Sequence, residues 1–203
     1  MASVVDESGR VLATDVDDRF VGELSADGVE FRVHDITAGP PEHAAFDLAH
    51  ARAVLEHIPA REQALANIVS AVKPGGLVVI EDIDWHHFDA QPMPEEFGAV
   101  HRALSEAATA GYGYDRHFGG RLQTALADAG LVDVDLRAKV SLMRGGRATA
   151  EWYVGALERA LPGLVDAGRI TRGQADASLA QGRDPSFCLQ SPVQVSAWGR
   201  RPD

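Results

Sequence analysis

Four short apolar segments divide the first 80 residues of the chain. Their residue types and lengths predict β-strands at 11–14, 29–33, 46–50 and 77–80. Leu65, Ile68, Val69 and Val72 recur at helical spacing between the last two segments. Because successive strands joined by helical or loop crossovers form mostly parallel sheets, we predict an α/β protein.

The second half of the chain has a different pattern. Apolar residues at helical spacing predict helices around 97–104, 118–126 and 153–164. Strict alternation predicts one long strand over 132–142, and the segment 193–197 predicts a closing strand. Thr149 is the expected N-cap of the helix that follows it, and Thr171 with Gln174 has the spacing of a capping box. Since no linker or repeat divides the chain, we expect a single domain over 1–203.

Composition and charge indicate which kinds of partner are unsuitable for this chain. The chain has 203 residues, of which 45% are hydrophobic, and its net charge is −11 at pH 7. An acidic surface repels nucleic acid and anionic membranes, so we expect neither as a partner. A single cysteine, Cys188, cannot form an internal disulfide, and neither a leader nor an apolar run of membrane-spanning length is found. These features predict a cytoplasmic protein.

Acidic residues follow the predicted strands. Asp15 and Asp35 come directly after the first two strands, and Glu81, Asp82 and Asp84 follow the fourth. In parallel sheets, ligands collect beyond the carboxyl ends of the strands, so these carboxylates are candidates for ligand binding. The eight histidines show neither His-x-x-x-His nor HExxH spacing, and we predict no metal site from the sequence.

Five segments in order carry a resemblance to a known family: VLATDVD, FRVHDIT, FDLAHARAVLEHIP, VKPGG and LVVIEDIDW. They resemble consecutive motifs of the class I S-adenosylmethionine-dependent methyltransferases, in the broad group of the ubiquinone and menaquinone biosynthesis enzymes. The resemblance implies a Rossmann-like, mostly parallel sheet whose last strand is antiparallel. It also implies methyl transfer from S-adenosylmethionine to a small-molecule acceptor, with the helical segments 85–130 and 144–185 covering the substrate.

The resemblance assigns the cofactor-binding residues one by one. Asp15, with Val16 beside it, would accept hydrogen bonds from the ribose hydroxyls, and Asp35 would reach the adenine amino group while Ile36 packs on the ring. The residues that would line the methionine portion of the cofactor are His50, Ala51 and Arg52. The residues also permit structural roles: a helix cap for Asp15, a turn for Asp35 and an ion pair for Arg52.

Histidines near the end of the fourth strand are the candidates for catalysis. Methyl transfer depends mainly on alignment, and a base is needed only if the acceptor must lose a proton. Imidazole ordinarily titrates near pH 6.5, so His86 and His87 are the first candidates for the base and His117 is the third. The alternative is that these are solvated loop residues.

One family element is not found before VLATDVD. A strand ending in a glycine-rich loop is expected there, because backbone must approach the cofactor closely, but Gly9 is the only glycine among the ten preceding residues. We therefore expect a truncated domain that lacks the first strand and its glycine loop. Three alternatives remain open: a fragment of an enzyme, a non-catalytic binding or assembly subunit, and a chain whose site is completed by another chain. We also expect the gap to close by direct pairing of the strands beside it, or to be covered in a homo-oligomer.

Overall fold

The computed structural model describes residues 5, 9–19 and 27–203. Within this part of the chain the strands are β1 (Val11–Asp15), β2 (Val29–Val33), β3 (Phe46–Arg52), β4 (Val72–Asp84), β5 (Val132–Lys139), β6 (Leu142–Arg144), β7 (Cys188–Gln190) and β8 (Val193–Arg200). The α-helices are α1 (Arg61–Ala71), α2 (His86–Ala90), α3 (Glu95–Tyr112), α4 (Leu122–Asp128), α5 (Ala148–Asp166) and α6 (Arg172–Arg183). In the described ranges a 3-10 helix, Leu55–His57, follows β3, and another, Gly119–Arg121, precedes α4.

The strand pairing confirms the predicted fold class. β1 pairs with β2 in parallel, and β3 pairs with β4 in parallel. The last strand, β8, lies antiparallel between β4 and β5, so the main sheet has the order β3-β4-β8-β5. The short strands β6 and β7 pair antiparallel in a ribbon of their own. The first four strands therefore run as parallel pairs, and the antiparallel strand of the main sheet is the last one in the chain.

The β1–β2 pair and the main sheet are separate in their hydrogen bonding. In the ranges that the structure describes, β1 pairs only with β2, and β3 pairs only with β4. The alternative in which β1 and β3 pair directly is therefore wrong for these residues. The guanidinium of Arg10, just before β1, lies 5.8 Å from the ring centroid of Phe46, which opens β3. The expectation about the segment ahead of Gly9 falls largely outside the described residues.

Among the residues that the structure describes, the apolar side chains form two cores. The first packs α1 and α4 against the main sheet and contains Leu65, Val78, Ile80, Leu122 and Leu126. The second lies among α2, α3, α5 and α6, and its large side chains are Phe88, Phe97, Tyr153 and Leu157. Within the described ranges, none of the helices is long and apolar enough to span a bilayer.

The structure corrects two details of the second half. The strand predicted over 132–142 ends at Lys139, and Leu142 begins β6, because Leu142–Arg144 pairs with β7 rather than with β8. Helix α5 begins after Arg147, with no side-chain cap, so Thr149 is not its N-cap. The capping box of Thr171 and Gln174 at the start of α6 is confirmed.

Candidate functional site

The carboxyl ends of the parallel strands carry most of the residues that the sequence singled out. Asp15 is the last residue of β1, Asp35 follows β2, Arg52 ends β3 and Asp84 ends β4. The backbone N–H of His34 donates to the carbonyl of Asp15 at 2.9 Å, which joins the ends of β1 and β2. This edge of the two sheets is where a ligand of a parallel α/β fold is expected.

Asp15 and Asp35 are exposed carboxylates that organise their own turns. Asp15 Oδ1 accepts the N–H of Asp17 at 2.9 Å. Asp35 Oδ1 accepts both the N–H and the hydroxyl of Thr37, at 2.8 and 2.7 Å. The hydroxyl and the amide of Thr37 lower the pKa of Asp35 below its ordinary value, so this side chain is held as an anion. Both bonds use Oδ1, so Asp35 can stabilise its turn and still offer Oδ2 to a ligand.

The residues beside these carboxylates differ in exposure. Val16 is 69% exposed, which leaves its side chain accessible at the end of β1. Ile36 is partly buried and packs against the core of the main sheet. The structure therefore anchors Ile36 and leaves Val16 open to solvent.

His50 and Arg52 both contact Glu81 on the neighbouring strand. His50 Nε2 lies 3.2 Å from Glu81 Oε2, and Arg52 Nε lies 3.9 Å from the same oxygen. The hydroxyl of Ser196 on β8 donates to Glu81 Oε1 at 2.5 Å. The Ser196 hydroxyl and His50 lower the pKa of Glu81. Ala51 is partly buried between these two residues and packs on the core. The alternative role of Arg52, an ion pair, thus has Glu81 as its partner, although 3.9 Å is close to the longest distance for such a pair.

Asp84, His86 and His117 form a cluster, which we call the Asp-His-His cluster. Asp84 Oδ1 accepts the N–H of His86 at 3.1 Å, and it lies 2.7 Å from His86 Nδ1 and 3.3 Å from His117 Nδ1. The two imidazole rings are close neighbours, with centroids 3.6 Å apart. Burial opposes ionisation of the Asp84 carboxyl, but the His86 amide and the two imidazoles lower its pKa below the ordinary value.

Local structure explains why these three residues meet. Asp84 is the last residue of β4 and His86 is the first residue of α2. The backbone N–H of Trp85 donates to the carbonyl of Arg116 at 3.0 Å, which brings the segment with His117 against this turn. His117 is far from His86 in sequence, so short-range spacing gave no signal for the cluster.

His87 is not part of the cluster. Its Nε2 lies 2.6 Å from Gln190 Oε1 on β7. Successive helix positions face different directions, so His86 and His87 contact different parts of the molecule. The structure therefore brings together the first and third of the three histidine candidates and separates the second.

Two carboxylates behind this edge are buried. Glu56 carried no signal in the sequence, whereas Asp82 was expected after the fourth strand as a ligand-binding candidate and instead lies within β4 on its buried face. Glu56 and Asp82 are 1% and 3% exposed. Glu56 Oε2 accepts the N–H of Ile83 at 2.9 Å, and Asp82 Oδ1 accepts the N–H of Val54 at 3.2 Å. Among the described residues Asp82 Oδ2 has no hydrogen-bond partner. Burial and the nearby Glu56 carboxylate raise the pKa of Asp82 to about 7.

A polar network and a cleft lie between α2 and α3. His101 is buried, with Nδ1 at 2.6 Å from the Tyr153 hydroxyl and Nε2 at 2.7 Å from Asp89 Oδ1. Burial lowers the pKa of His101, so it is a neutral link between these two groups. Arg116 also donates to Asp89, and its guanidinium lies 5.2 Å from the ring of Trp85. The adjoining cleft of about 520 Å³ is lined in part by Gln91, Met93, His101, Arg102 and Arg116.

Parts of the chain are similar in sequence to known proteins. Residues 1–80 match a family model described as a methyltransferase domain. A methyltransferase of Strobilurus tenacellus, str2, is 48% identical over 46 residues, which are 23% of this chain and 17% of that protein. An uncharacterised 37.1 kDa protein of a Streptomyces fradiae transposon is 28% identical over 175 residues, which are 84% of this chain and 49% of that protein. The chain thus spans half the length of these relatives or less.

Solved structures decide the fold. Phosphoethanolamine N-methyltransferase 2 of Haemonchus contortus, in complex with phosphomonomethylethanolamine and S-adenosylhomocysteine, superposes with a TM-score of 0.54 and 15% identity, over 96% of this chain and 44% of that one. The chain has the class I methyltransferase fold. The [4+2]-cyclase SpnF superposes with a TM-score of 0.53 and 13% identity, over 96% of this chain and 68% of that one. A class I methyltransferase fold therefore identifies an architecture, and the chemistry must be argued from the site.

Proposed function

We propose that this chain binds S-adenosylmethionine and transfers its methyl group to a small-molecule acceptor. The observation that carries the proposal is the position of Asp15, Asp35 and Arg52 at or just after the carboxyl ends of β1, β2 and β3, in a class I methyltransferase fold. The residues present fit the cofactor, since exposed carboxylates can accept hydrogen bonds from a ribose diol and from an adenine amino group. When bound, the cofactor supplies an electrophilic methyl group on a positively charged sulfur.

The roles of individual residues follow the family resemblance. Asp15 holds the ribose hydroxyls, with Val16 beside it, and Asp35 holds the adenine amino group, with Ile36 against the ring. His50, Ala51 and Arg52 line the methionine portion, and the ubiquinone-type group of methyltransferases is the model for these roles. The anionic state of Asp35 supports the second role, because a charged acceptor strengthens the hydrogen bond.

We assign to the Asp-His-His cluster the removal of the proton from the acceptor. A hydroxyl or phenol that is methylated must lose its proton, and Asp84 orients two imidazoles at the end of β4 for this task. His87 remains a weaker proposal, since its Nε2 contacts Gln190. The cluster would raise the rate only for acceptors that lose a proton, because methyl transfer otherwise depends on the alignment of the acceptor with the methyl group.

The helical part of the chain is the proposed cover of the acceptor. Helices α2, α3, α5 and α6 share a core that is distinct from the core of the main sheet. The cleft between α2 and α3 falls within the segment 85–130, and α5 and α6 lie in the segment 144–185. We also propose a cytoplasmic location, supported by the free thiol of Cys188, and a homo-oligomer or a completing chain as partner.

Isothermal titration with S-adenosylmethionine and its demethylated product tests the proposal. We expect saturable binding, and Asp15→Ala should weaken it about tenfold or more, because one charge-assisted contact is worth roughly 1.5–3 kcal/mol. Asp47→Ala is the matched control, since Asp47 is an exposed carboxylate near the opposite end of β3, paired with Lys73. If neither compound binds at millimolar concentration while the chain stays cooperatively folded, the alternative of a non-catalytic binding or assembly subunit replaces this proposal.

A further inference from the structure

We propose that the Asp-His-His cluster is a binding site for a divalent transition-metal ion of the Zn²⁺ class. Asp84, His86 and His117 each offer one ligand atom, and the three atoms lie within 4.8 Å of one another. Two imidazole nitrogens and one carboxylate oxygen are the donor set that Zn²⁺, Co²⁺ and Fe²⁺ accept, with open positions left for a further ligand. Cation binding itself does not depend on the proposed methyl transfer.

The distances from Asp84 Oδ1 to the two imidazoles are close to those around a tetrahedral ion. With bonds of about 2.0–2.2 Å, neighbouring ligand atoms of such an ion lie about 3.3 Å apart. Asp84 Oδ1 and His117 Nδ1 are already 3.3 Å apart. His86 Nδ1 lies 2.7 Å from the same oxygen, a hydrogen-bond distance, so it must move by only about half an ångström to become a ligand. The side chain of His86 is 69% exposed, and such a side chain is free to make this movement.

The carboxylate of the cluster is held in place by its surroundings. Its side chain is 19% exposed, while the side chain of His117 is 36% exposed. A Cβ added to Gly120 would lie 2.7 Å from Asp84 Oδ2, so the turn at Gly119 and Gly120 packs closely against this carboxylate. The carboxylate is thus partly buried and held, while His86 is largely exposed, so the cluster is open to solvent on the side of His86.

An ion in this position would give the cluster a defined chemical role. A bound cation lowers the pKa of a water or hydroxyl that it binds, so that the proton is lost to solvent near neutral pH. An acceptor oxygen bound at the open position would be deprotonated in this way. In the ion-bound chain the ion would therefore replace the imidazole base of the proposed function, because nitrogens that bind the ion cannot also accept a proton. This catalytic use, unlike the binding, rests on the proposed function.

Titration of the metal-free, tag-free chain with Co²⁺ tests the site through visible absorption. We expect one equivalent of Co²⁺ to bind with the absorption of a four- or five-coordinate ion, and Zn²⁺ to displace it. Asp84→Asn, His86→Ala and His117→Ala should each weaken Co²⁺ binding at least about tenfold, since each removes a ligand. The matched control is His87→Ala, which removes a neighbouring histidine outside the cluster and should leave binding unchanged.

Two outcomes would overturn the site. One is no saturable Co²⁺ binding at millimolar concentration. The other is binding that His87→Ala weakens as much as His86→Ala does, which would indicate non-specific histidine sites. Because His86 is largely exposed, His86→Ala is expected to fold normally, and its thermal unfolding shows whether it does. The measurement uses no cofactor, so failure of S-adenosylmethionine binding and failure of cation binding are seen separately.

Discussion

At the scale of single residues, the buried carboxyl of Asp82 is the least expected feature of the chain. Its side chain lies on the core face of β4 together with Val78 and Ile80, both 0% exposed, while one of its oxygens lacks a partner among the described residues. A carboxylate without full hydrogen bonding in the interior is costly, and a second carboxylate, Glu56, adds repulsion. Proton uptake by Asp82 relieves both costs, which explains its raised pKa.

The proton on Asp82 makes the stability of the chain depend on pH. The pKa of Asp82 rises from 3.8 to about 7 on folding, so the folded chain holds one more proton between these values. The favourable contribution of that proton is complete below about pH 4 and is lost as the pH rises to about 7. Asp82→Asn removes the titration. We expect its free energy of unfolding, relative to the natural chain, to improve by about 2–3 kcal/mol between pH 5 and pH 8.

Urea unfolding at the two pH values, followed by circular dichroism, measures this change. Asp47→Asn is the control, because it removes the same charge from a side chain that is 86% exposed. We expect the control to show almost no difference between the two pH values. An Asp82→Asn variant whose relative stability is the same at pH 5 and pH 8 would contradict a protonated Asp82.

Sequence reasoning anticipated the residues at the strand ends better than their partners. Asp15, Asp35 and Arg52 end or follow their strands as predicted, since short runs of β-forming apolar residues mark these strands. The alternation along β4 also contained a signal for Asp82, which falls two residues after Ile80 and four after Val78 on the buried face. By contrast, His117 reaches Asp84 only through the tertiary packing of the segment before α4, and no local pattern encodes that contact.

At the scale of elements, β4 is the strand on which the candidate site is built. It pairs with β3 and β8, and its carboxyl end is covered by the 3-10 helix Gly119–Arg121. A Cβ added to Gly119 would lie 2.6 Å from the carbonyl carbon of Ile83 and 2.8 Å from the amide nitrogen of Asp84. These are backbone atoms in a paired strand, so the helix and the strand would have to separate to admit a methyl group.

Gly119→Ala should therefore act on both stability and the Asp-His-His cluster. We expect a loss of about 1–3 kcal/mol in the free energy of unfolding, as for other overpacking substitutions, together with weaker Co²⁺ binding. The measurements are urea unfolding and the Co²⁺ titration described above.

Gly163→Ala is the matched control for this substitution. Gly163 lies in α5, and a Cβ added there would meet none of the described residues within 4 Å. Since alanine is the better helix former, we expect this variant to be as stable as the natural chain or up to about 1 kcal/mol more stable. Equal changes in the free energy of unfolding for the two substitutions would show that the close packing at Gly119 does not contribute to stability.

The elements of the helical half were predictable in kind but less so at their ends. The capping box at Thr171 and Gln174 has a local sequence signal, and the structure confirms it. Thr149 looked equally suitable as a cap, but β6 continues to Arg144 and α5 begins directly after Arg147. The change from β5 to β6 after Lys139 likewise depends on β7, the partner of β6, which is distant in sequence, and alternation alone does not show where pairing changes.

At the scale of the whole molecule, the β1–β2 pair is joined to the rest by a few polar contacts. Arg10 donates to Glu42 at 2.7 Å and lies over the ring of Phe46. Asn67 of α1 donates from Nδ2 to the carbonyls of Ile36 and Thr37, at 2.7 and 3.3 Å. Within the described ranges, β1 and β3 each have one unpaired edge. Because unpaired strand edges favour pairing with other chains, we still predict a homo-oligomer, and light scattering would measure its mass.

Asn67 is the contact on which the position of Asp35 and Ile36 depends most. It is 8% exposed, and its amide holds the turn that carries both residues. Asn67→Ala would leave two carbonyls without their donor, at a cost of about 1–3 kcal/mol in the free energy of unfolding. We expect the amide of Ala38, which donates to Asp35, to exchange with solvent faster, and S-adenosylmethionine to bind several-fold more weakly.

Gln63→Ala separates this role of Asn67 from a general effect on α1. Gln63 is exposed and donates to Asn67 Oδ1 at 3.1 Å, so its removal disturbs the same side chain while both bonds to Ile36 and Thr37 remain. Hydrogen exchange of the amides at 34–38, followed by mass spectrometry, should therefore change in Asn67→Ala and stay unchanged in Gln63→Ala. Unaltered exchange in Asn67→Ala would mean that the β1–β2 pair keeps its place through Arg10 and Phe46 instead, and the weaker cofactor binding should then be absent as well.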